Sequence, residues 1–320
     1  MFFYVYLTPE VISVAQDNGP LGMQALIAIL RGLVENCFVA DFEDHRVQTA
    51  IGQEVEDLPE DYDRKIVKEI LSILAKRHRF LYCLVPDYNG VKSDTECVKE
   101  QVEVAMLDLL LLEEDDEYVE HAETATILTY QHTEFEANRA RLISDGVTLG
   151  ASAMDGIDFL ESYLKKGLRP ANSIVICDRL FGEKYRGNYQ YTTERFFGWL
   201  ETILAEPDSC VVTFHCGQPD PENGARDLEV MRKELRACKT GRIAGIRLKL
   251  QLYSSDTTNF LPHQRYLLTD QLALSIDPGM DFLDPRTGQI RSISFSYKSM
   301  EQVDKLLKSY EAGRQPEIDL

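Results

Sequence analysis

An α/β chain in two domains is what this sequence encodes, judging from its length, its alternation of strand and helix patterns, and a break in its charge. At 320 residues it is longer than one hydrophobic core ordinarily supports. Short β-prone runs alternate with stretches of helical spacing, the strand–helix–strand rhythm of α/β proteins. Residues 1–172 carry 15 Lys and Arg against 32 Asp and Glu, whereas residues 173–320 carry 19 against 21. The expected division is an acidic α/β domain over 1–150 and a second α/β domain over 173–320, with the boundary inside 144–172.

The elements follow in order. Phe3–Leu7 reads as a first strand, closed by a turn at Pro9. A helix is expected from Gly22 to Asn36, then a strand over Cys37–Phe42. Glu54–Asp63 reads as an acidic loop leading into a helix over Asp63–Arg77, whose Ile66, Val67, Ile70, Leu71 and Leu74 lie three and four apart. Phe80–Val85 is a strand, Thr95–Leu112 a helix, and Glu113–Glu117 a solvated acidic loop. Ala125–Tyr130 is β-prone, and Thr133–Ile143 and Asp155–Lys166 are helical, the latter stopped by Gly167 with Lys165 and Lys166 facing its negative dipole end. Strands are expected at Ser173–Cys177, Cys210–Phe214, Ile243–Tyr253 and Gln289–Tyr297, and a hairpin at Tyr266–Leu268 with Ala273–Ile276. Helices are expected at Thr192–Leu204, Asn223–Cys238 and Met300–Tyr310.

Composition sets further bounds. Seven cysteines, an odd number with no CxxC pair, read as reduced, buried thiols of a cytoplasmic protein. No Cys/His spacing suits zinc, no Walker A or GxGxxG sequence is present, and no cofactor is expected. The longest apolar run, Met106–Leu112, contains Asp108 and excludes a membrane span. The first residues lack a basic region and a cleavage site, so they read as strand and not as a signal peptide. The acidic first half is a poor surface for polyanions, because these bind through Lys and Arg, and it suits a protein partner instead.

The chemistry lies in the second half. In Gly245–Tyr253, Arg247, Lys249 and Gln251 alternate with Ile246, Leu248, Leu250 and Leu252, so the polar set shares one strand face. His263 and Arg265 are two apart and share a face if they too are on a strand. Were the two strands neighbours, four basic groups would converge on a phosphate: Arg as a bidentate fork, Lys as a point charge, His as a proton donor or nucleophile. The alternative is a solvated face with Arg247 and Lys249 paired to local carboxylates. His215 ends an apolar strand before Gly217, where α/β ligand sites gather; the alternative there is a hydrogen-bonded histidine near the core. Asp41, Glu43 and Asp44, with Glu134 and Glu136, have the chemistry of a Mg²⁺ site, or are simply surface in a half rich in acids.

His263-x-Arg265 followed by Asp270 resembles the HxK(x4)D motif of the phospholipase D superfamily, and is more similar still to the phospholipase D-like C-terminal domain of MIT-domain proteins. The latter pattern is matched by His263-Gln-Arg265, the hairpin, and Ile276-Asp-Pro-Gly279-Met-Asp281-Phe282. A strand ending in Asp178, a loop with Tyr185 and Tyr189, and a helix through Phe196–Leu200 add to the likeness, which covers roughly 174–310. It implies a mixed central sheet and binding of a phosphate-bearing ligand, a nucleic acid or a phospholipid head group, through Arg247, Lys249, His263 and Arg265. It also implies His263 as nucleophile and Arg265 as phosphate ligand if the domain is a phosphodiesterase or nuclease, with Asp270 supporting. Arg265 replaces the Lys of the hydrolase motif and no second His-x-Lys exists, so catalysis would need a homodimer or His215. The first strand resembles that of PIN-type ribonucleases, with Thr8 where that family has a metal-binding Asp.

Three functions follow from the sequence. One is a phosphate-ligand binder, such as a component of a bacterial antiphage system. Another is a metal-independent phosphodiesterase using His263 in a homodimeric site. The third is a non-enzymatic protein whose acidic half engages a partner.

Overall fold

The computed structural model describes residues 2–84, 93–114, 119–150, 155–183, 185, 189–204, 207–218, 224–241, 245–253, 264–277, 279–283, 292–298, 300–309, 314 and 316–320. The chain is mixed α/β and divides into two compact units, 2–141 and 142–320. None of the described helices is long and apolar enough to cross a membrane.

The first unit runs β1 (Phe3–Leu7), α1 (Val11–Asp17), α2 (Gly19–Asn36), β2 (Cys37–Phe42), α3 (Arg46–Asp57), α4 (Tyr62–Lys76), β3 (Phe80–Leu84), α5 (Asp94–Gln101), β4 (Leu109–Leu111) and β5 (Glu123–Ala125), then enters α6 (Glu134–Asp145). The five strands form one parallel sheet in the order β3-β2-β1-β4-β5. Every residue of β1, β2 and β4 is buried, and apart from Asp41 in β2 they read as apolar runs: helices cover both faces of such a sheet.

Two helices and a strand depart from expectation. Residues 11–17 are helical, and so is Arg46–Asp57, whose Val47, Ile51 and Val55 make a buried stripe four apart. The helix expected over Thr95–Leu112 stops at Gln101, and Leu109–Leu111 is instead a strand between β1 and β5. An apolar run of this length has no periodicity to separate buried strand from buried helix.

The second unit continues with β6 (Val147–Leu149), then α7 (Gly156–Phe159), a π turn over Leu160–Leu164 and α8 (Lys165–Leu168). Next come β7 (Ser173–Cys177), α9 (Arg179–Glu183), α10 (Gln190–Ile203), β8 (Val211–Gly217), α11 (Gly224–Gly241) and β9 (Arg247–Tyr253). The hairpin of β10 (Tyr266–Thr269) and β11 (Ala273–Asp277), then β12 (Ile293–Tyr297), α12 (Met300–Ser309) and β13 (Ile318–Asp319) complete it. The eight strands form one mixed sheet in the order β13-β9-β8-β7-β10-β11-β12-β6. Strands β7, β8 and β9 are parallel, and the remaining pairings are antiparallel.

Alternation sorts this sheet into two apolar faces. Cys177, Tyr253, Tyr266, Leu268 and Ala273 pack with Val303, Leu306 and Leu307 of α12 on one. Ile174, Ile176, Val212, Phe214, Leu250 and Leu267 are buried on the other. There Phe181 of α9 stacks on Phe214 at 4.4 Å, and Phe197 of α10 meets the same ring edge-on at 5.9 Å. The five cysteines whose side chains are described, Cys37, Cys97, Cys177, Cys210 and Cys216, are free and buried. Burial raises their neighbourhood's cost for a thiolate, pushing Cys177 up to about 12 and Cys210 up to about 11.

Candidate anion site at the end of the second sheet

Asp178 follows the last residue of β7 and is 1% exposed. A buried carboxylate needs partners for its oxygens. Its Oδ1 accepts the Leu180 amide at 3.0 Å, fixing the start of α9, and its Oδ2 accepts the Tyr189 hydroxyl at 3.0 Å. Arg265 arrives just before β10, which runs antiparallel to β7 and pairs Tyr266 with Cys177. Its Nε lies 3.6 Å from Asp178 Oδ1, and its Nη1 lies 3.2 Å from Asp277 Oδ1 at the end of β11. Gly279 closes the cluster with φ +105°, where a Cβ would stand 2.5 Å from Arg265 Cδ and 2.6 Å from Asp178 Oδ2. Only glycine fits that conformation and that space.

One guanidinium therefore sits between a buried carboxylate and an exposed one. Asp178 orients it from below, while Asp277 is 84% exposed at its side chain. The exposed contact is the weak one, since a solvated ion pair contributes about 0–1 kcal/mol. Beside this cluster, Arg179 and Glu183 pair at 3.3 Å over Gly217, the last residue of β8.

The other sequence-predicted groups lie elsewhere. Register pairs Lys249 with Thr213, Thr213 with Val175, and Val175 with Leu268, so Lys249 shares the face packed by α12. Arg265, next to Tyr266, falls on the opposite face with Asp178. Arg247 and Lys249 thus do not join Arg265 at one ligand. Lys249 Nζ is paired to Glu317 Oε1 at 2.7 Å, a partner that raises its pKa, and Arg247 is exposed at the start of β9. This is the solvated-face arrangement.

His215 shares the face of Lys249. Its Nδ1 is 2.9 Å from the Tyr253 hydroxyl. Burial, helped by the positive charge of Arg314 and opposed by Glu317, pushes its pKa down to about 4, so the ring is neutral at pH 7. It is a hydrogen-bonded histidine facing away from Arg265, ill placed to act as a second catalytic histidine there. Asp270 is exposed at the far end of β10, about five residues and roughly 16 Å of strand from Arg265. His263 lies outside the described residues.

In the first unit two of the candidate carboxylates, Asp41 and Glu136, have local tasks. Asp41 Oδ1 accepts the amides of Phe42 and Val47 at 2.9 Å and of Gln48 at 3.4 Å, holding the start of α3. Glu136 binds the Tyr130 hydroxyl at 2.7 Å and Arg139 at 2.6 Å. Among the described residues no group of three or more His, Cys, Asp or Glu is placed to hold a metal ion.

Sequence reasoning picked out Arg265, Asp178, Tyr189 and Gly279 as one pattern spread over a hundred positions, and these do meet. It missed Asp277 as a partner and Arg179 as a neighbour. Asp277 is the last residue of β11 and Arg179 follows Asp178, and nothing in composition or spacing distinguishes either. Compared with known proteins, the chain matches no protein-family model and no curated sequence.

Proposed function

We propose that the second unit binds a phosphate-bearing ligand through Arg265 at the carboxyl end of β7. The single observation behind this reading is the held guanidinium: a buried aspartate fixes its direction and its outer contact is an exposed, exchangeable carboxylate. A phosphate oxygen replacing Asp277 would gain a charge-assisted hydrogen bond from a group already oriented. The parallel strands β7 and β8 end at this place, where ligands of α/β sheets gather. The likeness to phospholipase D-like domains supports the same assignment, with His263 two positions upstream as the added imidazole. Lys249 has no part in it, and neither His215 nor Asp270 does.

The experiment is a binding titration of the full chain with two probes, a fluorescent single-stranded oligonucleotide and vesicles containing a phosphoinositide. Arg265→Gln should weaken the preferred probe by about tenfold or more, the loss of one charge-assisted pair. Lys249→Gln should leave affinity within about twofold, since it sits on the other face, and Asp277→Asn should tighten binding. Equal losses from Arg265→Gln and Lys249→Gln, or no binding of either probe, would refute the assignment. Hydrolysis of the oligonucleotide lost in His263→Ala would move the reading to a phosphodiesterase.

A further inference from the structure

The first unit carries a groove that the anion site does not use. Pro20 and Met23, in the first turns of α2, face Leu58 and Pro59 of the α3–α4 connection across a cavity of about 200 Å³, rimmed by Asp61 and Asp63. That is smaller than the roughly 300–1,000 Å³ of pockets that enclose a small molecule. It is room for one large side chain of another polypeptide. Two prolines in the wall, and a turn fixed by Gly19 at φ +66°, make the groove rigid, so little ordering opposes binding.

The residues next in sequence to two of the lining groups are apolar and exposed. Leu21 follows Pro20 and is 76% accessible, and Tyr62 follows Asp61 and is 75% accessible, the former at a helix start where nothing in the fold requires it. Aromatic and apolar side chains left exposed beside a concavity mark contact surfaces.

Charge identifies the occupant. Residues 54–63 contain six acids and no base. Of the cations that follow, Arg64 is engaged with Glu56 and, at 3.0 Å, the Leu58 carbonyl, and Lys68 with Glu56 at 2.7 Å, while Lys65 is exposed. Asp61 and Asp63 line the groove, and Glu60 is exposed between Pro59 and Asp61. The amino ends of α2 and α4 oppose them with about half a positive charge each, too little to attract an anion there.

We infer that this groove binds a short basic segment of a partner protein, one apolar or aromatic side chain seated between Met23 and Leu58 and flanking Lys or Arg side chains meeting the acids at 57–63. The first unit is then a recognition module for basic–apolar peptides, distinct from any ligand of Arg265.

Fluorescence anisotropy with the full chain tests it, using a labelled Lys-Arg-Leu-Phe-Arg-Lys peptide as probe and a Lys-Arg-Ser-Ser-Arg-Lys control. The probe should bind with Kd of about 10–100 μM, and the control about tenfold more weakly. The exposed double substitution Leu21→Ser/Tyr62→Ser, and separately Glu60→Lys/Asp63→Lys, should each weaken the probe by about fivefold or more without lowering the melting temperature. Equal affinity for probe and control, an unchanged affinity in the Leu21→Ser/Tyr62→Ser variant, or no binding up to about 1 mM would each overturn the proposal. Arg265→Gln should not alter this binding, which separates its failure from that of the anion site.

Discussion

Gly279 shows how much one backbone position decides. Its φ of +105° and the absence of a Cβ let Arg265 and Asp178 approach across it. Gly279→Ala should cost about 1–3 kcal/mol from backbone strain alone, with more from the clash, and would appear as a lower urea midpoint at unchanged slope. A midpoint equal to the parent's would mean the turn relaxes freely. His215 makes the opposite kind of statement. Its folded pKa, about 4, lies below the unfolded value of about 6.5. Between those values the unfolded chain binds a proton that the folded chain refuses, so stability falls as pH drops from 6.5 to 4 and is level below that. The loss is at most about 3 kcal/mol. His215→Gln should flatten the decline in melting temperature across that window. An unaltered slope would assign the acid sensitivity to carboxylates. The sequence shows a histidine before Gly217 but not the Tyr253 hydroxyl that makes it structural, because that contact crosses two strands.

At the level of elements, Asp41 is the clearest case of one side chain organising a helix. Three amides converge on its Oδ1, and two successive residues, Asp44 and His45, take left-handed φ of 63° and 55° to bring α3 into position. Asp41→Ala would leave those amides without an acceptor, at roughly 1–3 kcal/mol for each that stays buried. Asp41→Asn keeps an oxygen there and should lose about 1 kcal/mol. Urea denaturation of the two variants checks this, and equal losses would assign the effect to charge. Much of the element order was legible: β7, the β10–β11 hairpin and α12 fall close to where alternation and helical spacing put them. What was hidden is physical. β4 is an apolar stretch too short to show a period, and α3 follows a left-handed corner that no propensity anticipates. Arg247 and Lys249 were rightly placed on one strand face. Which face Arg265 occupies depended on register across two intervening strands, β8 and β7, information absent from any local window.

For the molecule as a whole, charge and chemistry are segregated. Residues 2–141 carry 12 Lys and Arg against 28 Asp and Glu, and residues 142–320 carry 22 against 25. A polyanion is repelled by the first unit and tolerated by the second, whereas basic peptides find the reverse. That asymmetry is why the two proposed ligands are assigned to different units.

The second sheet also has a strand order unlike its chain order. Its outermost strand, β6, is the first of the eight to be made, and Thr148 meets its partner Ser294 across 146 positions at 3.1 Å. At ribosomal rates of 5–20 residues per second, β6 waits roughly 7–30 s before β12 exists. Through that interval its main-chain donors and acceptors lie bare to any neighbouring nascent chain. A translation pause placed between β6 and β12 would lengthen that exposure, so codon usage over this stretch bears on the yield of soluble protein.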